Sequence, residues 1–147
     1  MIQLPKNIYF VIDARCGDYQ RVAELLNQFG LNDGDENVQR ATFNASHGVA
    51  FLYDGDRLIG CGRVLSDGIS QAAIYNIAID VGYHGQHLGQ ALMQHFIERY
   101  RACNIILYTH PETIGWYEKI GFHKMNTGLA IFAPSSAAWM QSEGFFE

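Results

Sequence analysis

The stretch that most constrains the fold of this chain runs from Ala73 to Phe96. It begins with an apolar run, Ile74–Ile79, which predicts a strand, and it continues through a short loop that contains Gly82 and Gly85. Helical spacing then follows in Leu88, Ala91, Leu92, His95, Phe96 and Arg99. The pattern predicts a strand, a glycine-containing loop and a helix that opens on residues 86–91.

A loop that ends a strand and begins a helix leaves the first amides of that helix without acceptors inside the helix. Together with the positive end of the helix dipole, these amides form a site for an anion. Gly89 and Ala91 carry little or no side chain, so a phosphate could approach the backbone closely. The stretch therefore predicts a ligand that carries phosphate.

The composition favours one packed domain, which we expect to cover residues 1–147. Apolar residues make up 48% of the chain, which is enough for a hydrophobic core. No apolar run approaches the roughly 20 residues of a membrane-spanning helix, and the first ten residues lack a signal-peptide pattern. Three cysteines without a CxxC pair suit a reducing compartment, so we expect a cytoplasmic protein.

The formal net charge is −5, and the sequence has no cluster of lysine or arginine. Phosphate backbones and anionic membranes attract concentrated positive charge, so neither a nucleic acid nor a membrane is expected as a partner. An acidic protein is compatible with a cationic substrate such as an amine.

Periodicity and turn residues predict the other elements of the chain. In chain order we expect a strand (Ile8–Ala14), a helix capped by Asp18 and ending at Gly30, an acidic turn (Leu31–Asn37), a helix (Val38–Ala45), a hairpin (Gly48–Tyr53 and Arg57–Leu65), the central strand and helix, a buried strand (Asn104–His110), a short helix from Pro111 to Gly121, and one or two closing strands (Phe122–Phe132). This order predicts an α/β (α+β) fold with a mixed central sheet and helices on both faces. Its meander is antiparallel and its strand–helix–strand crossover is parallel.

Two stretches of the sequence resemble the Gcn5-related N-acetyltransferase (GNAT) family. The first is Gln86-His87-Leu88-Gly89-Gln90-Ala91, which matches the acetyl-CoA signature Gln/Arg-x-x-Gly-x-Gly/Ala at the start of a helix after an apolar strand. The second is Trp116-Tyr117-Glu118-Lys119-Ile120-Gly121-Phe122, which is close to the family's Tyr-Glu-Lys-x-Gly-Phe. Both stand in the expected order, and the element order covers nearly the whole chain, so the resemblance implies a GNAT-like acyl-CoA N-acyltransferase fold.

The resemblance also implies a role for each matching position. Backbone amides of Gln86, His87, Leu88, Gly89, Gln90 and Ala91 would hold the pyrophosphate of coenzyme A. The strand edge at Ile77, Ala78 and Ile79 would pair with the pantetheine arm, and an amide near Ile77 could stabilise charge on the thioester carbonyl. Tyr117 would be the general acid that protonates the departing thiolate, because a phenol keeps its proton at neutral pH. The reaction would be direct attack of an amine on acetyl-CoA.

The sequence departs from the family pattern at the general base. Many members place a glutamate on the fourth strand, where this chain has Tyr75 and Asn76. The base could be Glu112, His110 or a chain of water molecules, and the sequence does not choose among them. His110 also stands, before Pro111, where many members have an asparagine, which puts in doubt a side-chain contact to the pantetheine arm.

Other sequence features have alternative interpretations. His84, His87 and His95 lack a cysteine or carboxylate at ligand spacing, so no metal is expected. The cysteines are interpreted as small buried hydrophobes rather than as acyl carriers. Asp33, Asp35 and Glu36 suit a solvated loop, or a place that binds the amine. The aromatic residues of the tail could cover the core or pack on a second subunit, which leaves a homodimer open.

Three other functions can be compared with the acetyltransferase prediction. A dinucleotide-binding fold would place its glycine-rich turn after the first strand of a βαβ repeat, and here an antiparallel meander precedes it. A module that binds acyl-CoA without turnover, as a sensor, is the main alternative. An acetyltransferase that acts on aminoacyl-tRNA is disfavoured by the acidic balance of the chain.

Overall fold

The computed structural model describes residues 2–30 and 34–147. These residues form two compact units, one ending at Leu107 and the other running over Tyr108–Glu147, and each is described by itself. The prediction of one domain over residues 1–147 stays a prediction. Part of the predicted acidic turn, residues 31–33, lies outside the described residues, and with it Asp33.

The first unit contains a five-stranded sheet. Its strands are β1 (Ile8–Val11), β2 (Gly48–Asp54), β3 (Arg57–Ser66), β4 (Gln71–Ile79) and β5 (Asn104–Ile106). They lie in the order β1-β2-β3-β4-β5; each of the first four is antiparallel to its neighbours among them, and β5 is parallel to β4. The predicted meander and parallel crossover are therefore confirmed. Asp54 pairs with Arg57 across the hairpin, and Gly55 has φ +58°, which is typical of such a tight turn.

Three α-helices belong to the first unit: α1 (Tyr19–Gln28), α2 (Glu36–Asn44) and α3 (Leu88–Arg99). Asp18 caps α1 by accepting a hydrogen bond from the Arg21 amide, as predicted. Asp35 caps α2 in the same way, so the helix begins at Glu36 and the predicted turn extends two residues too far. Short 3-10 helices occupy Ala14–Cys16 and Val81–Tyr83.

Helices cover both faces of the sheet, as the sequence predicts. On one face, α1 and α2 bury a cluster with the sheet that includes Leu25, Phe43 and Phe51. On the other face, Phe96 of α3 packs so closely on Gly62 that a Cβ at this glycine would lie 2.9 Å from the ring. The strand β3 therefore alternates buried groups between two helical layers, which makes its glycines part of the packing.

The second unit contains a 3-10 turn (Pro111–Thr113) and the helices α4 (Ile114–Lys119) and α5 (Pro134–Ser142). The predicted closing strands over Phe122–Phe132 are wrong, because the structure has no strand in these residues. Their apolar side chains suggested strands, but Leu129 is 100% exposed and contributes to no core. A strand needs a partner edge as well as a sequence that favours extension. The segment's sequence supplied only the second requirement.

Two strand boundaries are also corrected. The first strand ends at Val11 rather than Ala14, because the Asp13 side chain caps the following 3-10 helix. The strand β5 covers only three residues, and Ile106 is 44% exposed, so the prediction of a buried strand over Asn104–His110 is wrong. Its short apolar run fits an edge strand as well as a buried one.

Candidate functional site

The N-terminus of α3 differs from the other helix ends of the first unit. The helix begins at Leu88, two residues after the predicted opening at Gln86, and its first hydrogen bond joins the Ala91 amide to the His87 carbonyl at 3.0 Å. Within the described residues, no side chain caps this end. The amides of Leu88, Gly89 and Gln90 precede the first helical donor, so they remain directed out of the helix.

The backbone of this turn is left-handed at two positions. His87, the residue that precedes the helix, has φ +61°, and Gly85 has φ +86°. A residue with a Cβ is uncommon in this conformation, whereas glycine adopts it freely. If the signature is placed two residues earlier, its first glycine falls on His87 and its second on Gly89. Gly85 and His84, which were not among the residues predicted to bind phosphate, take the first two positions of the signature in this alignment.

The predicted phosphate-binding residues divide into anchors and exposed groups. Leu88 and Ala91 are buried, and their side chains fix the helix end to the core. Gln86 and His87 are exposed, and Gly89 and Gln90 are half-buried. The structure thus places buried side chains behind this turn and the backbone amides up to Gln90 in front of it, whereas the Ala91 amide already donates to the His87 carbonyl and is not available to an anion. Such a turn can hold an anion through N–H groups and the helix dipole.

The loop that leads into this turn is anchored to the sheet by polar contacts. Asp80, which is 7% exposed, accepts a hydrogen bond from the Gly82 amide at 2.9 Å, and its other oxygen lies 2.9 Å from Arg21 Nη2. These contacts, first the bond from the Gly82 amide, hold the pKa of Asp80 below its ordinary value. The Tyr83 hydroxyl donates to the Asp54 carboxylate. The turn is therefore held in place before any ligand binds.

The outer edge of β4 is open beyond its first residues. Among the described residues of this unit, β5 pairs with β4 only over Gln71–Ala73, and the strands then separate. On the other side, the Asp80 amide donates to the Ile59 carbonyl at 2.8 Å, in register with the pairing of Ala78 and Cys61. Alternate residues of an antiparallel strand present their backbone groups to opposite sides.

This register separates the three strand residues that the sequence predicts to bind cofactor. The polar backbone groups of Ala78 face β3, whereas those of Ile77 and Ile79 face the open edge. The Ile79 carbonyl already accepts a hydrogen bond from Nε2 of His84 at 2.9 Å. What the edge offers to an extended ligand is therefore both backbone groups of Ile77 and the amide of Ile79. The sequence predicts that backbone groups of successive residues point to opposite sides of the strand. Only the observed register shows which of the three residues face outward.

Tyr117 lies in the second unit, on α4, and is partly buried. Its ring packs edge-on against Trp116 and Phe122, with ring centroids 4.9 Å and 5.8 Å away. Burial raises the pKa of the Tyr117 hydroxyl, although a hydrogen bond with the Thr109 side chain opposes part of that effect. The hydroxyl therefore remains protonated at neutral pH, as a general acid requires.

The side chains of Thr109 and Thr113 are hydrogen-bonded to each other. The Thr113 hydroxyl donates to the His110 carbonyl at 2.9 Å, so its only proton is used. The Thr109 hydroxyl, 2.6 Å from that of Thr113, must then be the donor between the two. The two threonine hydroxyls therefore form a chain of hydrogen bonds that ends on the His110 carbonyl.

The two side chains considered as general bases have different surroundings. Nδ1 of His110 accepts a hydrogen bond from the Glu112 amide at 3.2 Å, and its Nε2 lies 3.3 Å from the Glu143 carboxylate. The lone pair that a base would use is thus engaged in capping the 3-10 turn. Glu112 has a side chain that is 87% exposed. The structure gives His110 a structural role and leaves the base unassigned.

The acidic residues at the start of α2 and the buried Cys61 also have structural roles. Cys16 is exposed and Cys103 is half-buried, so the interpretation of the cysteines as buried hydrophobes is wrong for these two. Asp35 caps α2, and Glu36 forms an ion pair with Arg40 at 2.8 Å. Burial raises the pKa of the Cys61 thiol to about 12, so it does not provide a thiolate at neutral pH. Over the described ranges, no group of three or more His, Cys, Asp or Glu side chains is arranged to hold a metal ion. In the same residues, no helix is both long and apolar enough to span a membrane.

A family model described as an acetyltransferase (GNAT) domain matches residues 45–124, which is more than half of the chain. This range includes both stretches that resemble the family and the strands β2 to β5. The match is therefore independent support for the element order as well as for the motifs.

Two curated relatives and one solved structure illustrate the similarity. The chain is 33% identical over 69 residues to GCN5-related N-acetyltransferase 1, chloroplastic, of Arabidopsis thaliana, covering 45% of this chain and 35% of that protein. It is 29% identical over 96 residues to serotonin N-acetyltransferase 2, chloroplastic, of Oryza sativa subsp. japonica, covering 60% of this chain and 47% of that protein. A GNAT-family acetyltransferase from Streptococcus pneumoniae superposes with a TM-score of 0.71 at 20% identity, covering 86% of this chain and 98% of that one.

The curated relatives and the solved structure match this chain over different shares of their own length. The chain spans about a third to a half of the length of these curated relatives. The structural similarity, at 20% identity, establishes the GNAT-like fold that the sequence predicts. Family and fold are thus shown.

Proposed function

This chain belongs to the GNAT acetyltransferase family, and from that premise we propose that it is an acetyl-CoA-dependent N-acetyltransferase. The proposed reaction transfers the acetyl group of acetyl-CoA to a primary amine, on a small molecule or on a protein, by direct attack. The observation that carries the proposal is the uncapped end of α3 beside the open edge of β4. The uncapped end of α3 suits a pyrophosphate, and the open edge of β4 suits an extended arm that contains amides.

The proposed cofactor path follows from the directions of the backbone groups. The amides of residues 86–90 hold the pyrophosphate, because the Ala91 amide already donates to the His87 carbonyl, and the pantetheine arm pairs with the edge-facing groups of Ile77 and Ile79. Ala78 contributes its buried side chain to the sheet rather than its amide to the ligand. The Ile77 amide donates to the thioester carbonyl, where negative charge develops during attack. No metal is required in this scheme.

Tyr117 is the proposed general acid. Family resemblance supports this assignment, and the raised pKa of its hydroxyl is consistent with a group that must hold a proton until the thiolate leaves. In the proposed reaction the nitrogen of a neutral amine bonds to the acetyl carbon and loses one proton to water, the carbon–sulfur bond breaks, and the phenol protonates the sulfur. Water then returns a proton to the phenol.

The experiment that tests the proposal is an acceptor screen with release of free CoA as the readout. Acetyl-CoA with a panel of small amines and amine-bearing peptides should liberate CoA, and Tyr117→Phe should lower kcat by about 100-fold, the contribution of a typical general acid. Tyr9→Phe is the matched control, because its hydroxyl only donates to the Gly55 carbonyl at an exposed turn. Tight binding of acetyl-CoA without CoA release from any amine would instead support a non-catalytic sensor.

We also propose a cytoplasmic location and leave a homodimer as a testable assembly. The net charge of −5 supports the absence of a nucleic-acid partner and of a membrane surface. Cell fractionation decides the location, since the two curated relatives are both named as chloroplastic. Light scattering after size-exclusion chromatography decides the assembly, and a mass near 16.5 kDa would exclude the dimer.

A further inference from the structure

The pairing of β4 with β3 is irregular at Asn76 and Ile77. The register with β3 shifts between Cys61, which pairs with Ala78, and Arg63, which pairs with Tyr75. Two residues of β4 therefore stand opposite one residue of β3, which defines a β-bulge. The first of the two, Asn76, has φ +58°, a left-handed conformation that residues with a Cβ adopt rarely. Asparagine is among those that tolerate it when its side chain is hydrogen-bonded.

Two side chains of β3 hold Asn76 in this conformation. Nε of Arg63 donates to Asn76 Oδ1 at 2.5 Å, and the Cys61 thiol donates to the Asn76 carbonyl at 3.4 Å. Because Cys61 is fully buried, its thiol keeps the proton that this hydrogen bond requires. One contact fixes the side chain of the bulge residue, and the other fixes its main chain.

Arg63 is itself held in a defined position. Its guanidinium lies over the Tyr75 ring, 5.2 Å from the centroid, and its Nη1 is 3.4 Å from Ser46 Oγ. Ser46 follows α2, so the arginine connects the end of that helix to the bulge. A planar guanidinium that is held on several sides presents its Nε–H in one direction.

The peptide bond between Asn76 and Ile77 links the orientation of the Asn76 carbonyl to that of the Ile77 amide. The carbonyl of Asn76 and the amide of Ile77 belong to one planar trans peptide, so they point in opposite directions. The Cys61 thiol holds that carbonyl on the side of β3. The Ile77 N–H is consequently aimed at the open edge, where the thioester carbonyl is proposed to lie.

We propose that Arg63 and Cys61 are positioning residues of the acetyl transfer. They fix the Asn76–Ile77 peptide so that the Ile77 amide is in place before charge develops on the thioester oxygen. This inference rests on the proposed function, and neither side chain touches the cofactor in it. An amide that is aimed in advance stabilises the developing charge without reorganisation, so its loss lowers kcat more than it raises KM.

The first test compares Arg63→Leu with Asn76→Gly and with the double variant. Arg63→Leu should lower kcat about tenfold and should reduce the preference for acetyl-CoA over free CoA in calorimetric titrations by a similar factor, with the Kd of CoA unchanged. Glycine adopts φ +58° without help. In the Asn76→Gly background, Arg63→Leu should therefore cost less than about threefold. Arg101→Leu, an exposed arginine paired with Glu98, is the control for loss of charge.

The second test uses Cys61 and remains available if Arg63→Leu fails to fold. Cys61→Ser keeps a donor for the Asn76 carbonyl and should retain the acetyl-CoA preference, whereas Cys61→Ala should lose about threefold of it. An equal loss from Arg63→Leu in both backgrounds, or an unchanged ratio in Cys61→Ala, would overturn the inference. If the unaltered protein binds no acetyl-CoA, the proposed function fails and this inference fails with it. If it binds and turns over but these variants match the controls, only the inference fails.

Discussion

Helices α2 and α3 begin in different ways, although both lie in the first unit. The Asp35 carboxylate accepts a hydrogen bond from the Val38 amide at 3.0 Å, so α2 begins with its own anion. Helix α3 follows His87, whose side chain makes no capping hydrogen bond and whose backbone is left-handed. A capped end gains stability from the carboxylate, whereas an uncapped end keeps its amides for a ligand. The difference supports the proposal that a phosphate group binds at the start of α3.

The largest expected effect comes from converting the α3 end into an α2-like end. In His87→Asp, the new carboxylate should occupy the amides and repel the pyrophosphate, which would weaken acetyl-CoA binding by about 100-fold while the melting temperature is maintained. Calorimetric titration with acetyl-CoA measures the effect. His87→Gly is the control, because glycine relieves the left-handed backbone and should bind at least as well. Equal affinity in the Asp variant would show that these amides do not hold the phosphate.

The second prediction concerns the loop that supports the α3 end. Asp80→Asn removes the charge paired with Arg21 and should lower the free energy of unfolding by about 2 kcal/mol, since the partner is only 15% exposed at its side chain. Its pH dependence follows from the lowered pKa. The stabilisation should be complete above the unfolded value of 3.8 and should disappear as the pH falls through the lower folded value. Chemical denaturation of the unaltered protein and of Asp80→Asn at pH 7 and pH 3 measures the difference between their free energies of unfolding. A difference that is the same at both pH values would contradict the prediction.

The capped end provides the converse prediction. Asp35→Ala should reduce the free energy of unfolding by about 1 kcal/mol, the usual value for a lost cap, and should leave the Kd of acetyl-CoA unchanged. Thermal denaturation and calorimetry on the same sample report the two quantities. If acetyl-CoA binding weakened instead, the separation between a stabilising end and a binding end would be lost.

The smallest effect is expected from His95, on the buried side of α3. Burial, and to a lesser extent Arg99, lowers the pKa of this imidazole, which stacks on Phe10. Because the folded state favours the neutral ring, the contribution of His95 to stability should be complete above the unfolded pKa of 6.5 and should decline slightly as the pH falls below it. His95→Gln should flatten this dependence between pH 7 and pH 5. If the free energy of unfolding of His95→Gln depends on pH as steeply as that of the unaltered protein, the effect belongs to another group.

The elements that the sequence predicted well have a cap or turn residue at their ends and apolar side chains at a regular spacing. Helix α1 follows from Asp18 and from a regular apolar spacing, and the hairpin of β2 and β3 follows from the turn at Gly55. Both signals are local, so they hold in any tertiary context that buries the face. Over Phe122–Phe132 the same type of signal failed, because a strand also requires a neighbouring edge and none pairs with this segment among the described residues.

The site shows the same division. The composition of the loop after β4 indicated a phosphate site, and the resemblance named the residues 86–91 and Tyr117. The positive φ of His87 and the anchoring of Asp80 by Arg21, 59 residues away, had no local signal. The role of Arg63 at the bulge was equally hidden, because its partner Asn76 lies 13 residues further along the chain.

By itself, the sequence determined the family, the order of the elements as far as α4 and the turn in which an anion is proposed to bind, since each of these depends on neighbours a few residues apart. The tertiary structure alone decided which end of which helix stays uncapped, which backbone groups of β4 face outward, and which side chains hold the bulge before Ile77. These features depend on the register between strands and on contacts across the sheet. A shift of one residue in that register would reverse every backbone direction on the edge where the thioester is proposed to lie.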